Sequence, residues 1–217
     1  MIVHIFPQPK LIYHTESPFS GEISVCEFMG ERLLKVNSYT QSSYPLKEDW
    51  GRYNKRYWGR VAREAKELLK RESPEVLILG FAGGTLGHLF QRENPKVKIT
   101  GVDIDPEMIK LGGDYFFFQK INNLDLIVRD AAKWVGNNLD KKFDIIVLDV
   151  FKGGNFTIDF SRELLMNLKS INRGKVIINQ VFPKRENLRE AIDKLKKVFD
   201  NVNAIEVPPG NILLVCL

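Results

Sequence analysis

The chain has 217 residues, 44% hydrophobic and 27% charged, with Lys+Arg 32 against Asp+Glu 27. That length and apolar content suffice for one full domain plus a small appendage, and they set disorder aside. A formal net charge of +5 permits an anionic partner without demanding one, and a solvated surface is the plainer reading. Cys26 and Cys216 lie in apolar, strand-like runs without metal-ligand spacing, which suits two reduced, buried thiols. His4, His14 and His88 are scattered, so no metal site is expected. No run is long enough to span a bilayer and no leader pattern opens the chain, so the expectation is a cytoplasmic protein with no membrane partner.

In chain order, Met1 to Phe6, Gly21 to Phe28 and Arg32 to Val36 are short apolar segments separated by turn residues. Their spacing predicts a small antiparallel hairpin layer over residues 1–48. Gln41-Ser42-Ser43-Tyr44-Pro45 reads as a polar link into the main domain, residues 49–217. From Asp49 to Arg71 the pattern is helical, with Asn54, Trp58, Val61, Ala65 and Leu68 on one face and Arg56, Arg60 and Arg63 on the other. Aromatic and basic residues interleave here (Trp50, Arg52, Tyr53, Lys55, Arg56, Tyr57, Trp58). Such a mixture can serve nucleic acid, but burial of the aromatics against a sheet is the simpler reading.

The stretch from Val76 to Asp105 organises the rest. An apolar run, Val76 to Leu79, leads into Gly80-Phe81-Ala82-Gly83-Gly84-Thr85, then an amphipathic segment, then a second apolar run ending in Asp103-Ile104-Asp105. This order of strand, glycine turn, helix, strand and acid is a parallel βαβ unit. Glycines at 80, 83 and 84 let the backbone turn sharply and approach a ligand. The helix that follows offers free N–H groups, and Asp103, about 20 residues on, sits where a carboxylate can accept from ribose hydroxyls. A tight connection alone would explain the glycines; the acid at the next strand end raises the nucleoside reading above it.

Asp105-Pro106 is a helix start, since Asp accepts from free amides and Pro fits the first helical position. Gly112-Gly113 weakens that helix. Leu124 to Arg129 reads as the third parallel strand, and Asp130-Ala131 after it serves either an adenine amino group or a helix cap. The fourth strand, Phe143 to Leu148, ends in Asp149 at the carboxyl edge of the sheet, where ligands of open α/β sheets sit. The loop from Val150 to Phe156 is long enough to close over that edge. A helix over Phe160 to Leu168, a strand over Lys175 to Asn179 after an Arg173-Gly174 turn, and a helix over Glu186 to Phe199 follow. Val202 to Val207 and Ile212 to Leu217, joined by Pro208-Pro209-Gly210-Asn211, must form an antiparallel hairpin.

Five parallel strands and a terminal hairpin, with acids at the strand ends, make an α/β, Rossmann-like sheet that resembles the class I methyltransferase fold. Several strings resemble the spermidine synthase family in particular: Val76 to Leu86 its first nucleoside motif, Val102-Asp103-Ile104-Asp105-Pro106 with Tyr115-Phe116 its second, Asp130-Ala131 its third and Phe143 to Asp149 its fourth. The N-terminal strand layer and Gln41-Ser42 match its layout. The resemblance implies S-adenosylmethionine or decarboxylated S-adenosylmethionine as co-substrate. Gln41 and the glycine turn (Gly80, Gly83, Gly84) would lie at the sulfur and sugar, Asp103 at the ribose, Asp130 and Ala131 at the adenine, and Asp149 would be the catalytic carboxylate that deprotonates or orients an incoming amine. It implies a small amine as partner and admits a homo-oligomer.

The departures are as specific as the matches. Aminopropyl transferases carry an aspartate in the glycine turn, where this chain has Phe81 and Ala82, and another three positions after the fourth-strand acid, where it has Lys152. Their Tyr-His-Glu element becomes Tyr57-Trp58-Gly59. Asp149-Val150-Phe151-Lys152-Gly153 resembles the divergent Asp-x-Phe-x-Gly members instead. A diamine needs a carboxylate at each end when desolvated, so the nucleoside half of such a site is represented and the polyamine half is not. The expectation is an alkyl (aminopropyl or methyl) transferase. An RNA methyltransferase, resting on the basic helix, and a non-catalytic nucleoside-binding protein are the alternatives.

Overall fold

The computed structural model describes residues 7–151, 161–182 and 184–217. The expected strand over Met1 to Phe6, Lys152, and most of the loop expected to close over the fourth strand lie outside them.

A four-stranded antiparallel sheet comes first: β1 (Lys10–Ser17), β2 (Gly21–Phe28), β3 (Glu31–Val36) and β4 (Tyr39–Pro45), in that spatial order. The expected polar link at Gln41 to Pro45 is thus a strand. Its serines are buried because each has a partner remote in sequence: Ser42 Oγ accepts from the Gly83 amide at 2.8 Å, and Ser43 exchanges hydrogen bonds with Thr85 and lies 2.8 Å from the Tyr53 hydroxyl. Local polarity predicts a loop; these long-range pairs overrule it. The single helix expected from Asp49 divides into a 3-10 turn (Trp50–Lys55) and α1 (Tyr57–Leu69). The turn and helix bury Trp50, Tyr53 and Trp58, while Arg52 and Arg56 pair with the buried Glu31, and Arg60 pairs with Glu64.

The main sheet holds β5 (Glu75–Leu79), β6 (Lys98–Asp103), β7 (Leu124–Val128), β8 (Phe143–Leu148), β9 (Asn172–Gln180), β10 (Val202–Val207) and β11 (Asn211–Cys216). The order is β10-β11-β9-β8-β5-β6-β7, with β5 to β9 parallel and the last two strands antiparallel. Every residue of β8 is buried, as a central strand covered on both faces requires. Alternate residues feed two cores. Val76, Ile78, Ile145 and Val147 pack towards α1, α2 (Thr85–Glu93) and the N-terminal sheet. Leu77, Leu79, Ile146 and Leu148 pack towards α4 (Ala131–Gly136), α5 (Arg162–Ile171) and α6 (Arg185–Lys196). Ile23, Val25, Leu34 and Val36 of the N-terminal sheet belong to the first core, so that sheet is a layer of one packed body.

Arg173 and Gly174 are part of β9, where a turn was expected. Arg173 donates through Nε and Nη2 to the buried Asp144 at 2.8 and 2.9 Å, and Arg71 also pairs with that carboxylate. This cluster holds the amino ends of β8 and β9 together.

The two glycines of α3 (Pro106–Phe116) are not equivalent. A Cβ on Gly112 would lie 1.9 Å from Cζ of Phe118, whereas one on Gly113 would meet nothing within 4 Å. Gly112 is therefore the floor on which the Phe118 ring rests, in edge contact with Phe81 at 5.2 Å between centroids. Gly112→Ala is expected to cost about 1–3 kcal/mol by overpacking. Gly113→Ala should instead stabilise by up to about 1 kcal/mol through helix propensity. Urea unfolding of both variants tests the pair, and equal effects would remove the packing explanation.

Candidate active site

The sheet reverses its winding between β5 and β8, and the crevice of an open α/β sheet lies at the carboxyl ends of such a strand pair. Here the two backbones nearly touch. Gly80 has φ +88°, and a Cβ there would stand 2.2 Å from the Asp149 carbonyl oxygen. Only glycine fits the conformation and the gap. The Asp149 amide donates to Leu79 O at 2.8 Å and the Gly80 amide to Val102 O at 2.8 Å, so the ends of β8, β5 and β6 are stitched in sequence.

Asp103 closes the next part of the rim. Its Oδ2 accepts from the Ala82 amide at 2.8 Å and its Oδ1 from the Asp105 amide at 3.0 Å. Burial pushes its carboxyl above the ordinary aspartate value, against the lowering effect of those amides. Each oxygen retains lone-pair capacity towards the crevice. Asp105 caps α3 through Glu107 N at 2.9 Å, as its Asp-Pro sequence predicts, and also accepts from Ser20 Oγ at 2.5 Å. Ser20 lies in the β1–β2 turn, so this bond ties the tip of the N-terminal sheet to the loop after β6.

Asp130 fills one of the two roles left open for it, since its Oδ1 caps α4 by accepting from Lys133 N at 2.9 Å, and it lines the same hollow as Asp103. Asp149 is held from two sides. Tyr57 Oη, at the start of α1, donates to its Oδ2 at 3.0 Å, and Asn179 Nδ2, near the end of β9, donates to its Oδ1 at 2.8 Å. Burial raises the Asp149 carboxyl to about 6, although both donors pull it down. Burial and the adjoining carboxylate push the Tyr57 phenol well above its usual value, so it stays a neutral donor.

These groups share one cavity of about 520 Å³, within the range of small-molecule sites. Gln41, Gly80, Asp103, Asp130, Ala131 and Asp149 all line it. Gly83 and Gly84 are buried behind it: a Cβ on Gly83 would strike Ser42, and one on Gly84, whose φ is +72°, would strike Phe118. Their part is to let the turn pack against β4 and α3.

Sequence reasoning missed four contributors. Tyr57 had a signal in the Tyr-His-Glu comparison, of which only the tyrosine persists. Asn179 closes a strand and had no local signal. Phe19, half exposed at the β1–β2 tip, and Arg129 also line the cavity. Among the described residues, Arg129 puts the cavity's one cation beside Asp130.

A sequence model of the spermine/spermidine synthase domain matches residues 61–209. A probable polyamine aminopropyl transferase of Bifidobacterium longum is 28% identical over 155 residues, 68% of this chain and 34% of that protein. The eEF1A lysine and N-terminal methyltransferase homolog of Drosophila melanogaster is 29% identical over 141 residues, 59% of this chain and 21% of its own. A polyamine aminopropyltransferase of Vibrio vulnificus is 27% identical over 165 residues, 74% and 55% of the two chains. The match thus spans from about a fifth to just over half of these relatives. Among solved structures, a probable spermidine synthase from Corynebacterium glutamicum superposes with TM-score 0.74 at 20% identity, over 97% of this chain and 80% of that one. Human methyltransferase-like protein 13, in complex with SAH, superposes with TM-score 0.63 at 23% identity, over 74% and 78%. The fold is the class I methyltransferase fold, and, with the domain match running from the middle of α1 into the turn after β10, the chain belongs to the spermine/spermidine synthase family.

Proposed function

We propose that the protein transfers an alkyl group from an adenosyl sulfonium, S-adenosylmethionine or its decarboxylated form, to an amine held at Asp149. Gly80 lets the ends of β5 and β8 close together at the crevice, Asp103 accepts from the ribose hydroxyls, and Asp130 with Ala131 borders the adenine. An ammonium has no lone pair and cannot attack carbon. Asp149 takes one of its protons, the freed nitrogen attacks the carbon bound to sulfur, the C–S bond breaks, and the electron pair returns to a neutral thioether. The observation that carries this reading is the environment of Asp149: a carboxyl with its value near 6, held by two neutral donors, at the crevice end of β8. Such a group is ionised at neutral pH yet basic enough to take a proton.

Relatives bearing aminopropyl and methyl names leave two transferred groups open, and one comparison separates them. In a thermal-shift panel, a ligand at about a hundred times its Kd stabilises by about 2.7 kcal/mol, or roughly 5–10 °C for a chain of this size. S-adenosylmethionine exceeding its decarboxylated form supports methyl transfer; the reverse order supports aminopropyl transfer. No shift with either, or with methylthioadenosine, would end the nucleoside reading. The RNA alternative needs aromatics free to stack, and Trp50, Tyr53 and Trp58 are buried.

Asp149→Asn should abolish turnover across an amine panel and keep the nucleoside-induced shift; undiminished turnover would remove Asp149 from the chemistry. For the native enzyme kcat/KM should rise with pH through about 6 as Asp149 ionises. Stability runs the other way. A carboxyl raised from 3.8 to about 6 on folding binds its proton more tightly in the native state, so its contribution falls as pH rises through that window and stays low above it. The Tm of Asp149→Asn relative to the native protein should therefore be higher at pH 7.5 than at pH 4. A difference independent of pH would refute the raised value.

A further inference from the structure

Asn179 presents a difficulty that Asp149 alone does not resolve. A primary amide is nearly symmetrical in shape, and a half-turn about its last bond exchanges two donors for an acceptor. With Nδ2 towards Asp149 it stabilises the carboxylate; with Oδ1 there, two acceptors face each other and the ionised form is disfavoured. A protonated Asp149 can meet either end of the amide, so something beyond it must settle the orientation before a substrate arrives. The structure supplies it on the terminal hairpin, where Asn211 Nδ2 donates to Asn179 Oδ1 at 3.0 Å while Asn179 Nδ2 donates to Asp149 Oδ1 at 2.8 Å.

The chain of bonds has one consistent direction. An ionised carboxylate only accepts, so Asn179 must give it an N–H, which leaves the Asn179 oxygen in need of a donor. Asn211 is placed for this by register: it opens β11, and the next two residues pair with Gln180 and Asn179 of β9. We propose that Asn211 is a positioning residue: by donating to Asn179 it fixes which end of the Asn179 amide meets Asp149, and so keeps the acid ready to accept a proton.

This deepens the transferase reading, because it assigns the terminal hairpin to the base at Asp149. Among the described residues, the groups that bear on Asp149 are few. Tyr57 from α1 and Asn179 from β9 touch it, and Asp103, Asp130 and Arg129 line the same cavity. Across the hairpin from Asn211, Val207 is its partner and the exposed Glu206 pairs with Ile212. Among the described residues no cation pairs with Asp149, so the two neutral donors are what hold it ionised against burial.

The test is the titration of the Asp149 side-chain carboxyl, followed by carbon-13 NMR in the free protein and assigned with Asp149→Asn. In Asn211→Ala the amide is free to turn, and the Asp149 midpoint should rise, by on the order of half a unit to one unit. Asn211→Leu, which is close to Asn in shape, has no donor and adds no charge, should raise the midpoint by a similar amount. The acid limb of kcat/KM should move the same way in both variants, with the nucleoside-induced thermal shift unchanged. An Asp149 midpoint that stays put in both variants overturns the proposal. Because the NMR titration needs neither substrate nor turnover, that failure is distinct from failure of the transferase reading, which would show as a native protein that binds no adenosyl ligand. Should Asn211→Ala lose its fold, Asn211→Leu, which fills the same space without a charge, still decides the matter.

Discussion

The site depends on the closeness of two backbones at the sheet's point of reversal. Gly80 and Asp149 lie so near that a single added carbon would sit 2.2 Å from a carbonyl oxygen. Parallel strands β5 and β8 arrive in register, and the chain runs on from each. One path enters the glycine turn and α2; the other enters the loop that follows Asp149. The crevice opens between these departures. A larger residue at position 80 would push the strand ends apart and with them the distance from the nucleoside end of the cavity to the acid.

Around this point the structure uses the same carboxylates twice. Asp103 anchors the glycine turn through the Ala82 amide and the following loop through the Asp105 amide; Asp130 caps α4. Both also line the cavity. An aspartate pinned by backbone donors has lost its rotamer freedom before any ligand arrives, so little further ordering cost falls on binding. The Ser20–Asp105 bond extends the same economy to the N-terminal sheet, whose tip brings Phe19 to the cavity.

What the sequence made legible follows from the range of the interactions involved. Strand β8 was plain because a strand buried on both faces is an unbroken apolar run, and the cap at Asp105 because cap and helix are neighbours. The glycine turn and the acids at 103, 130 and 149 could be placed from spacing along a βαβ pattern. Strand β4 was not legible, because Ser42 and Ser43 find their partners some forty residues away. Gly112 was opaque until Phe118 was seen lying against it. Asn179 and Asn211 carry no local mark of their role; each is an ordinary polar residue at a strand end, and only the β9–β11 register brings the pair to Asp149. The separation of Gly83 and Gly84 from the cavity has the same cause, since the sequence shows a flexible turn but not which side of it is packed.

Strand β8 carries a comparison that isolates the chemistry of the site. Asp144 and Asp149 stand at its two ends. Burial pushes both carboxyls upward, but Asp144 receives the fork of Arg173, the Glu75 amide and Arg71, and ends below the ordinary value. Asp149 receives a phenol and an amide, neither of them charged, and ends near 6. A cation at Asp149 would have pulled its carboxyl down as the arginines do at Asp144, leaving an ion pair useful for holding strands together and too weak a base to take a proton from an ammonium. Neutral donors hold the carboxylate in place without removing its basicity, and they leave the position of the positive charge for the proposed ammonium substrate. On the proposed mechanism, the difference between the structural acid and the reactive one on this strand is set by whether its hydrogen-bond donors carry charge.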